Sequence, residues 1–403
     1  MALMNNSKFD FDAPVPRRGT ASEKWDAPRG DDVLPLWVAD MDFRAAPAVV
    51  DALRRRVDEG VFGYALPPAS WHESLVRWLA VRHGWTVSPD TILDAIGVVP
   101  ALAAVIRAFC APGDKVVMQT PAYNCFFKAI RNQGCEILEN PLRRVPPRDG
   151  ASGDFTYEMD FNDLERKVAD PRAKFFLLCN PHNPVGRAWT DGELRRAGEI
   201  CRRHGVFVVS DEIHADLQMP GSRHVPFAAL SDEFRDSSLT FWSASKAFNL
   251  AGLQTAAVVC ADPEVRARVG RCLGLHGTGE LNPFGFLASS VAWNECADWL
   301  DALCAYLREN HRTLVGFVRE RLPQLRVAEL EATYLAWVDA TALGVPSSGL
   351  ARRLEDEAKV RFSPGAIYGE PSCSSFLRVN LACPRAMLRE ALERVAAWCA
   401  RQT

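Results

Sequence analysis

Lysine is scarce in this chain: 8 lysines stand against 39 arginines among 403 residues. Arginine stays protonated near neutral pH, whereas lysine can become a neutral, nucleophilic amine when its surroundings lower its pKa. A lysine in an apolar setting is therefore worth following. No apolar run approaches the length of a membrane-crossing helix. The N-terminal stretch MALMNNSKFDFD also lacks the apolar core of a signal peptide. The 12 cysteines are scattered singly, with no CxxC pair and no Cys/His cluster at zinc spacing, so no metal is expected. They read as reduced, mostly buried thiols of a cytoplasmic protein. A formal charge of −3 and a pI near 6.3 give no reason to expect nucleic acid as a partner.

What the chain does have is enough apolar residue, 48%, for a large core split over two domains. Helical patterns at 47–60, 69–84, 100–111 and 190–205 alternate with apolar runs such as KVVMQT (115–120), KFFLLC (174–179), VFVVSDEI (206–213) and QTAAVVCA (254–261). Continuous apolar strands between amphipathic helices predict an α/β fold, a mostly parallel sheet covered on both faces. Beyond residue 285 long helices precede the strands in ATYLAWVD and SSFLRVNLAC. The expected division is a large unit over 46–285 and a smaller α+β unit built from 1–45 with 286–403. PPRDGASGD (146–154) reads as a loop insertion.

Four short segments fall at loop ends beyond strands: GVVPALAAV (97–105), LLCNPHNPVGRAW (177–189), VVSDEIHADL (208–217) and FWSASKAFN (241–249). Open α/β sheets place their ligands at such strand ends, and one ligand touching all four would account for them. The residue types suggest pyridoxal phosphate. Lys246 can form a Schiff base, and Asp211 can hold a pyridine nitrogen protonated. Asn183 and His214 can bond a ring hydroxyl oxygen, and Tyr123 can stack on the ring. The amides of Ala101 and Leu102, opening a helix, can cradle the phosphate together with Ser243; Ser245 is an equally placed alternative. Asn183 could instead build a turn, His214 could be a structural histidine, and Cys125 reads as a buried inert thiol.

Seven segments in order, ADMDF (39–43), GVFGY (60–64), CNPHNPVGR (179–187), SDEIH (210–214), SASKAFNLAGLQ (243–254), ATYLAW (332–337) and FLRVN (376–380), resemble the fold-type I pyridoxal-phosphate enzymes. Within them they look like the cystathionine β-lyase branch, the C–S lyases of MalY/PatB type. The resemblance runs from about residue 9 to about 400. It implies the aspartate aminotransferase fold, with a mostly parallel seven-stranded sheet. It makes Lys246 the cofactor-bearing lysine and Arg378 the grip on a substrate carboxylate, with a solvated strand position as the alternative for Arg378. It also implies a homodimer in which Tyr64 reaches the phosphate of the neighbouring subunit.

Many aminotransferases of this fold carry arginine eight residues after the lysine; here that position is Gln254. His214 stands where they usually carry tyrosine. Both departures favour α,β-elimination from L-cystathionine or a related S-substituted L-cysteine over transamination, the second reading. A specialised pyridoxal-phosphate enzyme of secondary metabolism is a third, and a regulatory binding protein a fourth. ADMDF, GVFGYALPP and GTGELNPFG (277–285) are the expected lining of the pocket beyond the substrate's Cβ.

Overall fold

The computed structural model describes residues 8–402. Residues 1–7, part of the N-terminal stretch MALMNNSKFDFD, lie outside the described residues. Seven strands form the main sheet: β1 (Ile92–Ala95), β2 (Lys115–Thr120), β3 (Glu136–Pro141), β4 (Ala173–Cys179), β5 (Phe207–Asp211), β6 (Ser238–Trp242) and β7 (Ala256–Cys260). Their order is β1-β7-β6-β5-β4-β2-β3. All neighbours are parallel except β7, which runs antiparallel to both β1 and β6. Strands β6 and β7 are buried along their whole length, as runs like SLTFW and AAVVC require when helices cover both faces.

This topology gathers the polar segments. In register Cys179 pairs with Asp211, and Asp211 with Phe241, so β4, β5 and β6 end side by side. Because β7 is reversed, it begins where its neighbours end: Ala256 pairs with Ala95 and Ala257 with Trp242. The residues just before β7 therefore arrive at the same edge.

The second sheet, β8 (Arg326–Val327), β9 (Leu335–Asp339), β10 (Ser363–Pro364) and β11 (Phe376–Asn380), is antiparallel in the order β8-β9-β11-β10. Leu34 and Pro35 pair with Val360 and Arg361, which ties the N-terminal segment to this part of the chain. One apolar core runs from Trp71 and Trp78 through Trp299 and Leu307 to Trp398, so the two expected units share packing. The 146–154 segment is the loop of a hairpin, with Arg143–Val145 paired to Thr156–Glu158. Among the described residues no helix is long and apolar enough to cross a membrane.

Candidate active site

A cavity of about 260 Å3 opens at the shared strand edge. Its wall includes Lys246, Asp211, His214, Asn183 and Tyr123, all expected from the sequence, together with Ala39, Cys179, Ser245, Gln254 and Thr255. Lys246 follows β6 through a tight turn, and its Nζ donates to the Ala39 carbonyl at 2.7 Å. The Tyr334 hydroxyl donates to the same oxygen at 2.8 Å. Burial lowers the lysine's pKa to about 8, the nearby Arg378 charge acting in the same direction. Such an amine is partly neutral at neutral pH and can attack a carbonyl carbon.

Asp211 closes β5 and is buried; its Oδ1 accepts from the Ile213 amide at 3.1 Å. Burial, with the Glu212 charge adding to it, pushes its pKa up to about 7, and Lys246 opposes the rise. An ionised Asp211 therefore calls for a cationic partner in the cavity. Burial, reinforced by Lys246 and Arg378, holds His214 well below the ordinary histidine range, so its imidazole is neutral. Its Nδ1 has no protein partner.

Arg378, on β11, is buried rather than solvated. Its Nη1 donates to Asn183 Oδ1 at 3.2 Å and its Nη2 to the Trp37 carbonyl at 3.1 Å. The guanidinium lies over the Tyr368 ring at 4.8 Å, while Nε has no partner. Tyr123 precedes the helix Asn124–Asn132, and burial raises its hydroxyl pKa. Cys125, expected to be buried, is half-buried.

The phosphate end differs from expectation. The helix after β1 spans Val98–Phe109 rather than opening at Pro100, and the Ala101 amide already donates to the Gly97 carbonyl at 3.1 Å. Ala101 and Leu102 are fully buried inside the helix and leave the cavity wall to Val98 and Val99. Pro100, taken as the helix start, sits at the third position, where its missing N–H costs no intrahelical bond. The amides of Val98 and Val99 are the ones left for an anion. Ser243 is buried with its hydroxyl donating to the Thr255 carbonyl at 2.6 Å and accepting from the Ser245 amide at 3.1 Å. Ser245 is the serine on the wall. Of the segments expected to line the outer pocket, ADMDF contributes Ala39, while 60–68 and 277–285 lie off the wall. Tyr64 is fully exposed.

Sequence reading missed Tyr334 and the Ala39 carbonyl as partners around Lys246, although both lie in quoted motifs. Gln254, noted only as a missing arginine, is itself a wall residue in the left-handed region at φ +50°.

The donor set fits the expected pyridoxal phosphate on the structure's own terms. It offers an amine of lowered pKa, a buried carboxylate in need of a cation, an unpartnered imidazole nitrogen and two free helix-start amides. Residues 31–395 match the family described as aminotransferase class I and II. Cystathionine β-lyase PatB of Bacillus subtilis is 42% identical over 96% of this chain and 99% of its own. Protein MalY of Escherichia coli is 33% identical over 95% of this chain and 96% of its own. The structure of cystalysin from Treponema denticola, which contains a pyridoxal 5′-phosphate cofactor, superposes with a TM-score of 0.92 at 33% identity, covering 98% of this chain and all of its own. With this fold, this strand-edge cavity and these relatives covering 95% or more of it, the chain belongs to the class I and II aminotransferase family, in the group that holds PatB and MalY.

Proposed function

We propose that this protein is a pyridoxal-phosphate-dependent carbon–sulfur lyase that cleaves L-cystathionine or a related S-substituted L-cysteine to a thiol, pyruvate and ammonia. The observation that carries this reading is one cavity holding the Lys246 amine with Asp211, His214 and Asn183, in a chain 42% identical to a cystathionine β-lyase. Residues 46–285 form the cofactor-holding unit, and residues 1–45 with 286–403 the smaller one.

Pyridoxal phosphate, when bound, supplies an electron sink for the pair left at the substrate's Cα. Lys246 would hold the cofactor through its amine, and with substrate bound its Nζ would take the α-proton as general base. The Ala39 carbonyl, 2.7 Å from Nζ, is placed to accept from the resulting ammonium. Asp211 would hold a protonated ring nitrogen and so keep the sink strong. Neutral His214 and Asn183 would bond the ring oxygen. Val98, Val99 and Ser245 would hold the phosphate. Arg378 binds the substrate carboxylate, a two-pronged task that suits a guanidinium. With the substrate so oriented, the thiolate leaves from Cβ.

Tyr64 is assigned to the neighbouring active site of a homodimer: its side chain is fully exposed, beside exposed Val61, Phe62 and Leu66. The cytoplasm is the proposed location. Transamination is the second reading, supported by the family match to aminotransferases. Replacing Lys246 with alanine tests the proposal: the wild-type protein is expected to release pyruvate from L-cystathionine and Lys246→Ala to release none. Pyruvate formation at the wild-type rate by Lys246→Ala would contradict it.

A further inference from the structure

Behind Asp211, away from the cavity, four titratable side chains form an unbroken buried chain. His83 Nε2 lies 2.7 Å from Asp216 Oδ1, and His83 Nδ1 lies 3.3 Å from His224 Nδ1. His224 Nε2 lies 3.0 Å from Glu212 Oε2, within ion-pair distance, and neither atom has a hydrogen-bond partner. All four residues are buried. Asp216 and Glu212 stand at the two ends of the loop that carries His214, so the histidine pair bridges that loop.

The hydrogens can be counted. Two hydrogen bonds and one close nitrogen–oxygen contact in a row call for three hydrogens, and two neutral imidazoles carry two. Both carboxylates are held as acceptors. Asp216 Oδ1 also accepts from Trp78 Nε1 at 2.9 Å. Glu212 Oε1 accepts from the Ser210 hydroxyl at 2.8 Å and the Phe227 amide at 2.9 Å. Donors on a carboxylate favour its ionised form. Burial, opposed by Asp216, lowers the pKa of His83, so His83 keeps one hydrogen, on Nε2 toward Asp216. Its Nδ1 must then accept from His224 Nδ1, which leaves His224 Nε2 without a hydrogen toward a carboxylate oxygen 3.0 Å away. A lone pair facing a buried anion is unfavourable, and a third hydrogen removes the conflict.

We propose that His224 is held as a buried imidazolium by Glu212, and that this pair is a positioning device for Asp211 and for the loop bearing His214. Glu212 is the residue next to Asp211, and its negative charge opposes ionisation of Asp211. A cation on His224 cancels that charge and frees Asp211 to ionise toward the ring. The other charged or titratable groups packed around the chain are Arg82, paired with Asp301, and the Cys304 thiol, which donates to the Asp216 carbonyl at 3.7 Å. The Trp242 ring lies edge-on to His83 at 4.7 Å. The buried proton stands independent of any cofactor; its effect on cofactor binding rests on the function proposed above.

The test uses full-length protein labelled with 15N in histidine, compared with His224→Ala and Glu212→Gln. A glutamine at 212 can accept the same two bonds through its oxygen and offer His224 Nε2 a permanent N–H. Near neutral pH the wild-type spectrum is expected to contain one imidazolium signal that is absent from His224→Ala and becomes a neutral-imidazole signal in Glu212→Gln. Pyridoxal phosphate is expected to bind His224→Ala roughly tenfold more weakly than wild type, the size of a one-unit change in the Asp211 proton affinity. A wild-type spectrum with only neutral buried histidines, or an unchanged His224 signal in Glu212→Gln, would overturn the proton. Unaltered cofactor affinity in His224→Ala would overturn the positioning role. If wild type takes up no pyridoxal phosphate at all, the function proposed above fails and the histidine spectrum alone decides the proton.

Discussion

At the residue scale, the reactivity of Lys246 comes from its neighbours. Burial and the Arg378 charge strip proton affinity from the amine, and Asp40 and Asp211 return part of it. In cofactor-free protein the neutral amine is the form that captures pyridoxal phosphate. The capture rate should therefore climb with pH through about 8. Replacing Arg378 by alanine removes a cation that lowers the lysine pKa, so the midpoint should move to higher pH. Stopped-flow absorbance across a pH series checks both statements, and a midpoint that stays or falls in Arg378→Ala would count against this electrostatic account. Most of the site was legible at this scale, because a lysine, an aspartate and a histidine at the ends of apolar strands have few other uses. The phosphate end was misread by a few residues. Proline is common at the first helical turn, and here it occupies the third position, so the free amides belong to Val98 and Val99.

At the element scale, the Trp37–Met41 segment puts Ala39 on the cavity wall, and a buried charge cluster fixes it. Lys24 is wholly buried, with Nζ 2.7 Å from Asp42 Oδ2 and 3.6 Å from Asp40 Oδ1. Arg17 pairs with the same two aspartates at 2.6 and 2.8 Å, and Trp25 Nε1 donates to Asp42 at 2.7 Å. Asn380 Nδ2 bonds the Val38 and Asp40 carbonyls on either side of Ala39. Breaking a buried pair leaves an uncompensated charge, so Lys24→Met should cost about 3 kcal/mol of stability. It should also raise KM, because the Ala39 carbonyl loses its support. Denaturant unfolding with steady-state kinetics checks this, and an unchanged KM would separate the cluster from the site. No periodicity in the sequence announces such a cluster, since its members are joined only by tertiary folding. The helices of the main unit were more readable. Thr190 and Glu193 form the capping box that opens Asp191–Arg203, and Gly84 at φ +65° ends Ala69–His83. The edge strand Glu136–Pro141 went unread, because its mixed ENP-containing pattern lacks the continuous apolar run of the central strands.

At the scale of the whole molecule, the antiparallel β7 is what completes the site, bringing Gln254 and Thr255 to an edge that the parallel strands only leave. The parallel sheet was legible from its apolar runs; the reversal of one strand was not, since a buried strand reads alike in either direction. The exposed 61–66 segment extends the account to assembly. Light scattering should show a dimer, and Tyr64→Phe should weaken pyridoxal phosphate binding about tenfold while leaving the dimer intact. A monomer, or unchanged binding in that variant, would remove Tyr64 from the site.

Elimination and transamination part at the substrate's Cβ. The most direct measurement is to mix the cofactor-loaded protein with L-cystathionine, supply no keto acid, and follow pyruvate and free thiol together. Sustained release of both in equal amounts over many turnovers is expected. Conversion of the cofactor to its amine form after a single equivalent, with turnover resuming only when a keto acid is added, would contradict it and make the protein an aminotransferase.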